Sequence, residues 1–305
     1  MKGKWMVLFA VSIWFMKASE APKTDLPEKV KYPHHIRGGA LKSTLYQPSD
    51  TCHGCHQRFF EEWNADAHGM SWRGKFFQHF YRQYLSQMGK EYDVECLKCH
   101  APIAVEEKKF LVDADIYREG VNCDFCHTMD FKEGLTWVSA PGQWKRGPRY
   151  PSFEGAHIMF YDTTYSSSVI CAPCHEWEKN GVPILDEYSS WTGSKAQAEG
   201  KQCQACHMPT FKGASAGGAF DRPDIRAHNF PGFSDMDFLK NALELSLEAK
   251  RDVENPNKVR ITVKLKNSGS GHFLPAGFSW KELTLVIRLR DLKENVYWDR
   301  KEVLR

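Results

Sequence analysis

Hydrophobic residues are distributed unevenly along this chain. A twelve-residue apolar run, Trp5 to Met16, stands near the N-terminus, and long aliphatic stretches are then scarce until about residue 240. Over roughly the last seventy residues, hydrophobic and polar positions alternate instead, which is typical of half-buried β-strands. The pattern predicts an N-terminal segment, a long region without a conventional aliphatic core, and a C-terminal β region.

The N-terminal run has the features of a secretory signal peptide. Two lysines precede it, and small residues that suit a cleavage site follow at Ala18, Ser19 and Ala21. A bilayer span needs about 20 apolar residues, so the run is short for a transmembrane helix. We predict a signal peptide over residues 1–21 and an exported protein, periplasmic or extracellular in a prokaryote, with a membrane attachment solely through this segment if it stays uncleaved.

The C-terminal alternation predicts a small antiparallel β region over residues 236–305. Residues 243–249 and 259–265 alternate on either side of an Asn-Pro-Asn turn and form a predicted hairpin. Residues 283–289 make a third predicted strand, and 296–298 begin a fourth, after which the sequence gives no closing strand. Because four short strands bury little apolar surface, we expect this region to pack on another domain or chain. The missing closing strand leaves two readings open, a complete β region and a truncated form of a longer chain.

All ten cysteines belong to one motif, C-x-x-C-H, which occurs five times. The motifs consist of Cys52, Cys55 and His56; Cys96, Cys99 and His100; Cys123, Cys126 and His127; Cys171, Cys174 and His175; and Cys203, Cys206 and His207. A histidine after every pair would arise by chance with a probability on the order of 10⁻⁷, which argues against a disulfide framework. Structural zinc takes four ligands, and five motifs cannot be paired evenly.

C-x-x-C-H is the attachment signal for c-type haem: both thiols form thioethers with the vinyl groups, and the adjacent histidine faces the iron. We therefore predict five covalently attached haems c with these five histidines as proximal ligands. The macrocycles would supply the apolar bulk that residues 22–235 lack. We predict a mostly α or irregular domain wrapped on a haem chain, α+β overall with the β region. The spacing of the motifs favours close pairing of haems two and three, and of four and five.

Eight further histidines could ligate the opposite sides of the irons. His68 ends a helix-like run after the first motif. On an unbroken helix it would lie about 18 Å from His56, so we expect it to ligate a different haem. His157 precedes the fourth motif and His228 follows the fifth, each within reach of an iron. For each of these histidines the alternative is an ordinary hydrogen-bonded side chain.

The other histidines lie in less regular surroundings. Either His34 or His35, before the first motif, is a candidate distal ligand. His272, in a glycine-rich loop between predicted strands, could ligate iron or pin its own loop by hydrogen bonds. His53 lies inside its own motif and His79 in an aromatic run, so both are expected to pack against neighbours or contact haem propionates.

These elements together resemble those of multihaem cytochromes of the cytochrome c-554 family, over about residues 30–235. The resemblance rests on the five motifs, Trp63-x-x-x-x-His68, His157 upstream of the fourth motif, and Cys206-His207-Met208-Pro209 followed by His228-Asn229-Phe230-Pro231-Gly232. It implies electron transfer through bis-His irons where the histidine elements match. The chain departs from the family in carrying Asp66 where Ser is usual, and in having five motifs where the name-giving member has four haems.

The resemblance also extends to the C-terminal region. The loop around His272 resembles a G-H-x-x-P-T-G element of β domains appended to such cytochromes, with Ala276 in the Thr position. Related filament-forming extracellular cytochromes share these features and often receive a distal histidine from the neighbouring subunit. This resemblance implies that a homo-oligomer or filament is one candidate assembly.

The net charge and the predicted iron ligands limit the classes of function that fit this sequence. The formal net charge is +3 and the basic residues are scattered, so we expect no nucleic-acid partner. An iron with histidine on both sides has no open site and suits outer-sphere electron transfer. We therefore favour an electron carrier whose partners are redox proteins, including other cytochromes. The alternatives are a reductase or oxidase of a small nitrogen or sulfur species with one open iron, and a filament subunit.

Overall fold

The computed structural model describes residues 8–15, 45–131, 137–139, 141–142, 144–150, 157–255, 257–278 and 281–304. Its α-helices are α1 (Asp50–His53), α2 (Gln57–Ala65), α3 (Lys75–Met88), α4 (Val94–His100), α5 (Pro102–Glu106), α6 (Cys123–His127), α7 (Ala172–His175), α8 (Glu187–Trp191), α9 (Lys195–Ala198), α10 (Cys203–His207) and α11 (Met236–Lys240). Short 3-10 helices lie at Asp115–Arg118, Thr163–Ser166 and Ser168–Ile170.

The described strands form several small sheets. They are β1 (Leu8–Phe15), β2 (Met129–Phe131), β3 (Trp137–Ser139), β4 (Trp144–Gly147), β5 (Ile158–Tyr161), β6 (Trp177–Lys179), β7 (Val182–Leu185), β8 (Thr210–Gly213), β9 (Arg222–Arg226), β10 (Leu243–Arg251), β11 (Val259–Asn267), β12 (Leu283–Arg290) and β13 (Val296–Leu304). Short helices together with small sheets confirm the predicted α+β class.

The chain divides into two compact units. The motif unit, residues 32–174 and 199–234, contains all ten cysteines. The strand unit comprises residues 1–31, 175–198 and 235–305. The domain boundaries drawn from the sequence stay a prediction.

Two of the motif helices in the motif unit, α4 and α6, begin with a side-chain cap. Asp93 accepts hydrogen bonds from the backbone N–H groups of Glu95 and Cys96 at the start of α4. Asn122 accepts one from Phe125 at the start of α6. Both are residue types that satisfy unpaired N–H groups at a helix start. Because residues three and four apart share a helix face, a capped turn brings the two thiols and the imidazole of a motif to one side.

The motif unit contains a conventional core around the second and third motifs. Its buried residues are Tyr46, Tyr81, Leu97, Ala101, Ile103, Ala104, Ile116, Tyr117, Phe125 and Met129. Leu97 and Phe125 stand inside their own C-x-x-C-H loops and are 1% and 2% exposed. The expectation that haem alone would fill residues 22–235 was wrong here, because motif residues that point away from the cysteine side are free to pack against other side chains.

The strand unit confirms the predicted C-terminal strands but arranges them differently. Strands β10 and β11 form an antiparallel hairpin with Leu247 opposite Val263. Strands β12 and β13 pair with each other, with Ile287 opposite Arg300, and form a separate sheet in the order β1-β12-β13. The four strands therefore belong to two sheets rather than one, and the second sheet gains a strand from the N-terminal part of the chain.

Strand β1 lies within the segment predicted as a signal peptide. It pairs antiparallel with β12 from Leu8 opposite Arg290 to Phe15 opposite Leu283. This pairing belongs to the uncleaved chain, and the signal peptide stays a prediction. In the described part of the chain, no helix has both the length and the apolar character needed to cross a membrane.

Candidate haem sites

Each C-x-x-C-H motif forms a helical turn. Helices α4, α6 and α10 contain the second, third and fifth motifs whole, and α7 covers the fourth from Ala172. In the first motif α1 ends at His53, and the chain continues as a turn in which His56 N–H donates to the Cys52 carbonyl at 2.8 Å. In the described part of the chain none of the ten cysteines is in a disulfide, which leaves both sulfur atoms of every motif for thioether bonds.

The proximal histidines of the motif unit share one hydrogen-bonding arrangement. In each, Nδ1–H donates to a backbone carbonyl: His56 to Ser215 at 2.7 Å, His100 to Ser71 at 2.7 Å, His127 to Arg146 at 2.7 Å, and His207 to Pro231 at 2.8 Å. Such a bond fixes the tautomer and ring orientation and leaves Nε2 to bind a metal. The residues therefore fit the haem iron that their motifs imply.

The fifth proximal histidine, His175, belongs to the strand unit. Its Nδ1 lies 4.0 Å from Oε1 of Glu187, beyond ordinary hydrogen-bond distance. The carboxylate of Glu187, the first residue of α8, therefore lies close to this imidazole.

Two proximal histidines face a second histidine at the separation of two axial ligands. The ring centroids of His56 and His157 are 6.1 Å apart with planes at 26°, and those of His127 and His228 are 6.3 Å apart with planes at 30°. Because an imidazole nitrogen lies about 2 Å from its metal and the centroid about 1 Å further back, two imidazoles across one iron are about 6 Å apart. Both pairs fit a bis-His iron.

Short strand pairs bring these histidines together across the sequence. Strand β5 pairs in parallel with β4, so His157 before β5 lies beside the strand whose Arg146 carbonyl holds His127. Strand β9 pairs with β8, and His228 stands two residues after its last residue, Arg226. The His228 N–H donates to the Glu62 carboxylate at 2.7 Å, which fixes the histidine against α2.

Burial favours the neutral, metal-ligating form of three of these imidazoles, those of His127, His157 and His228. Loss of solvation, with a smaller contribution from the nearby His127, lowers the pKa of His228 to about 4. Burial also lowers the pKa of His127, with His56 adding to the decrease. The pKa of His157 falls for the same reasons, burial first and His56 second.

His68 lies outside the helix on which it was expected. Helix α2 ends at Ala65, and Asp66 is extended with φ −88° and ψ 165°, so the unbroken helix predicted through His68 is wrong. His68 contacts Phe230 edge-on, with centroids 4.4 Å apart. Phe230 precedes Pro231, whose carbonyl accepts the hydrogen bond of His207. The ligation of an iron by His68 stays a prediction.

The other candidate ligands have local contacts or lie outside the described residues. His34 and His35 are outside them, and their ligation stays a prediction. His272 Nδ1–H donates to the carbonyl of the next residue, Phe273, at 2.8 Å, a hydrogen bond within its own loop. Ligation of iron by His272 also stays a prediction. His53 stacks on Phe60 at 4.5 Å, and His79 contacts Phe80 edge-on at 5.5 Å.

Cysteines of different motifs contact one another in the motif unit. The contacting pairs are Cys52 with Cys123, Cys171 with Cys203, and Cys99 with Cys174, each through a thiol hydrogen bond. These contacts link motif one to three, four to five, and two to four. Since the thiols mark where haem edges attach, haems on linked motifs would approach edge to edge.

A buried ion pair borders the first and third motifs. Asp124, inside the third motif and 1% exposed, lies 2.5 Å from the ammonium group of Lys145 and accepts a hydrogen bond from Gln47 N–H at 2.8 Å. The Lys145 charge adds to the lowering of the pKa of His127 and His157, after burial and the nearby His56. Removing one partner of such a pair costs about 3–5 kcal/mol, because a buried charge is left uncompensated.

Sequence reasoning missed two buried serines that join motifs. Ser49 and Ser168 each stand three residues before the first cysteine of a motif and are 0% exposed. The Oγ of Ser49 accepts a hydrogen bond from Cys123 N–H at 3.4 Å, and that of Ser168 accepts one from Cys203 N–H at 2.9 Å. The repeated S-x-x-C before motifs one and four was the signal that could have revealed them.

Comparisons with known proteins agree with this arrangement. The family model described as cytochrome c554 and c-prime matches residues 51–128, which contain the first three motifs. No curated protein matches the chain significantly. Among solved structures, the chain is similar to a penta-heme cytochrome c552 from Thermochromatium tepidum, with a TM-score of 0.67 and 22% identity over 84% of this chain and 74% of that one.

At 22% identity the structural likeness shows the fold. The family match covers the segment in which Trp63 and His68 lie between the first two motifs. Together with the C-x-x-C-H motifs, these comparisons support a multihaem c-type cytochrome.

Proposed function

We propose that the chain is an exported pentahaem c-type cytochrome that carries electrons through closely packed, mainly bis-His haems. The observation that carries this proposal is the 6.1 Å separation of His56 and His157 and the 6.3 Å separation of His127 and His228. A haem with histidine on both sides exchanges electrons without binding a substrate, and its iron changes only between the ferric and ferrous states.

The contact between His68 and Phe230 supports a third bis-His iron. Phe230 is next to Pro231, which holds the ring of His207. We assign His68 as the distal ligand of the haem on the fifth motif. The partners of His100 and His175 stay open, and His34, His35 and His272 are the candidates.

The linked cysteines support fast transfer between haems. Motifs one and three share the Cys52–Cys123 contact, and motifs four and five share the Cys171–Cys203 contact. Adjacent macrocycle edges let an electron pass from haem to haem. The signal segment supports export, and redox proteins, including other cytochromes, are the proposed donors and acceptors.

Replacing a distal histidine tests the ligation directly. His157→Ala and His228→Ala should each convert one iron of the ferric holoprotein from low-spin to high-spin, and the ferrous variants should bind carbon monoxide at that iron. The wild-type protein should bind carbon monoxide weakly, because the gas must displace a histidine. Electron paramagnetic resonance and carbon monoxide titration measure both effects. His79→Ala, which removes a histidine packed on Phe80, is the matched control and should change neither.

The wild-type spectrum separates the carrier from its two alternatives. A high-spin iron that persists at every protein concentration and binds nitrite, hydroxylamine or nitric oxide would favour the enzyme. A high-spin iron that appears on dilution and disappears on assembly would favour a filament subunit that receives a ligand from its neighbour. Low-spin His157 and His228 variants would overturn the assignment of both residues.

A further inference from the structure

The hydrogen-bond partner of His68 differs in charge from those of the other ligand histidines. The Nδ1–H groups of His56, His100, His127, His207 and His228 donate to neutral backbone carbonyls. That of His68 donates to Oδ1 of Asp66 at 2.8 Å. Glu187 also lies near a ligand histidine, but at 4.0 Å from Nδ1 of His175. Among the three histidines assigned as distal ligands, His68 is the one whose Nδ1–H donates to a carboxylate in the described residues, since that of His228 donates to a carbonyl and Nδ1 of His157 has no hydrogen-bond partner there.

The Asp66 carboxylate is largely shielded from water. Its side chain is 6% exposed, against 31% for His68. The same oxygen accepts a second hydrogen bond from the His68 backbone N–H at 2.9 Å. A charge-assisted hydrogen bond in such surroundings is about twice as strong as a neutral one. The carboxylate therefore acts on the imidazole with little screening.

The loop that carries this pair is held from several sides. The His68 carbonyl accepts hydrogen bonds from Val121 N–H at 3.1 Å and from Ser71 Oγ–H at 2.8 Å. The indole of Trp63 donates to the Val121 carbonyl at 2.7 Å. A side chain at Gly69 would collide with the Trp63 backbone, so the chain can turn this closely only at glycine. These contacts hold the turn that carries the Asp66–His68 hydrogen bond.

A carboxylate that accepts the Nδ1–H bond of a ligating histidine raises the basicity of that histidine. A more basic imidazole donates more electron density to iron and stabilises the ferric state over the ferrous state. We propose that Asp66 is a positioning residue that lowers the reduction potential of the haem ligated by His68. The half-reaction is the gain of one electron by ferric iron, supplied by a chemical reductant such as dithionite. This inference rests on the proposed function, in which His68 is a distal ligand.

The test is Asp66→Asn in the haem-loaded protein. Asn keeps an oxygen that can accept both hydrogen bonds but removes the negative charge. In a spectroscopic redox titration, one haem of five should become easier to reduce by about tenfold in equilibrium constant, which is about 59 mV for one electron. The low-spin g values of one ferric haem should shift as well. Glu61→Gln, which neutralises an exposed carboxylate on α2, is the matched control and should leave the potentials unchanged.

Two further variants make the result decisive. Asp66→Ser also keeps an uncharged acceptor oxygen, and it replaces the Asn variant if that variant folds poorly. It should raise the reduction potential of the same haem. His68→Ala tests the ligation itself and should make one iron high-spin. If His68→Ala gives a high-spin iron and both Asp66 variants keep wild-type potentials, Asp66 only shapes the turn and the inference is wrong. If His68→Ala stays low-spin, the ligand assignment under the proposed function is wrong.

Discussion

At the scale of single residues, two buried serine N–H groups of the motif unit have acceptors of different kinds. The buried backbone N–H of Ser49 donates to Oε2 of Glu119 at 2.9 Å, and the equivalent N–H of Ser168 donates to the Gln202 side-chain oxygen at 2.8 Å. One acceptor is a titratable carboxyl and the other is a neutral amide. Glu119 is 3% exposed, and its second oxygen has no hydrogen-bond partner in the described part of the chain. An ionised carboxylate there is poorly satisfied.

This burial predicts a pH dependence of stability. Desolvation raises the pKa of Glu119, more than the hydrogen bond from Ser49 and the more distant Arg73 lower it. A raised pKa in the folded state means that the stabilisation is complete below the ordinary Glu value of about 4.3 and is lost as pH rises through the folded value. Each unit of difference is worth about 1.4 kcal/mol.

Glu119→Gln should therefore flatten the curve of unfolding free energy against pH in the range above the ordinary Glu value. Guanidinium unfolding of the holoprotein, followed by Soret circular dichroism at several pH values, measures the slope. Glu61→Gln, at an exposed position of α2, should keep the wild-type slope. Equal slopes for wild type and Glu119→Gln would show that Glu119 does not change its protonation preference on folding.

At the scale of elements, two pairs of motifs are joined by the same set of contacts. The pairs are motifs one and three, and motifs four and five. In each pair a buried serine precedes the first motif helix or turn and accepts a hydrogen bond from the first N–H of the second motif helix, α6 or α10. The thiols of the two motifs then contact one another, Cys52 with Cys123 and Cys171 with Cys203. The serine thus joins two haem-bearing helices.

Removing either serine hydroxyl should destabilise the protein. Ser168→Ala leaves the Cys203 N–H buried without its 2.9 Å acceptor, and an unsatisfied buried donor costs about 1–3 kcal/mol. Ser49→Ala should cost less, since its bond to Cys123 N–H is 3.4 Å long. Ser189→Ala, on the exposed start of α8, is the control and should stay within about 0.5 kcal/mol. Denaturant unfolding ranks the three variants, and equal stability of Ser168→Ala and Ser189→Ala would contradict the joining role.

Sequence patterns predicted the elements with strong local signals. The hairpin of β10 and β11 has nine alternating positions on each side, and the motif helices follow from C-x-x-C-H itself. The pairing of His56 with His157 could not be predicted, because it depends on the four-residue strands β4 and β5, which are too short to show a period. The break after Ala65 escaped prediction because Asp66 is compatible with a helix until its side chain bonds His68.

At the scale of the whole molecule, distance along the chain is a poor guide to which haem sites meet. The spacing of the motifs favoured haems two with three and four with five. The structure supports contact of motifs four and five through Cys171 and Cys203, but it links motif three to motif one and motif two to motif four. A chain that returns through small sheets can place distant motifs side by side, since closing a longer loop costs little extra entropy.

The cysteine contacts divide the motifs into two groups, one with three, and two with four and five. Each motif nevertheless has its own two thiols, so removing one motif's cysteines should remove one haem from the count. A pyridine haemochrome assay against protein mass should give about five haems per matured wild-type chain. Replacing Cys203 and Cys206 together with Ala should give about four, since the fifth motif then has no thiol for a thioether bond while the other four motifs keep both of theirs. The bis-His signals assigned to His56–His157 and His127–His228 should persist in that variant. A wild-type count of four, unchanged by the double replacement, would show that the fifth motif does not hold haem.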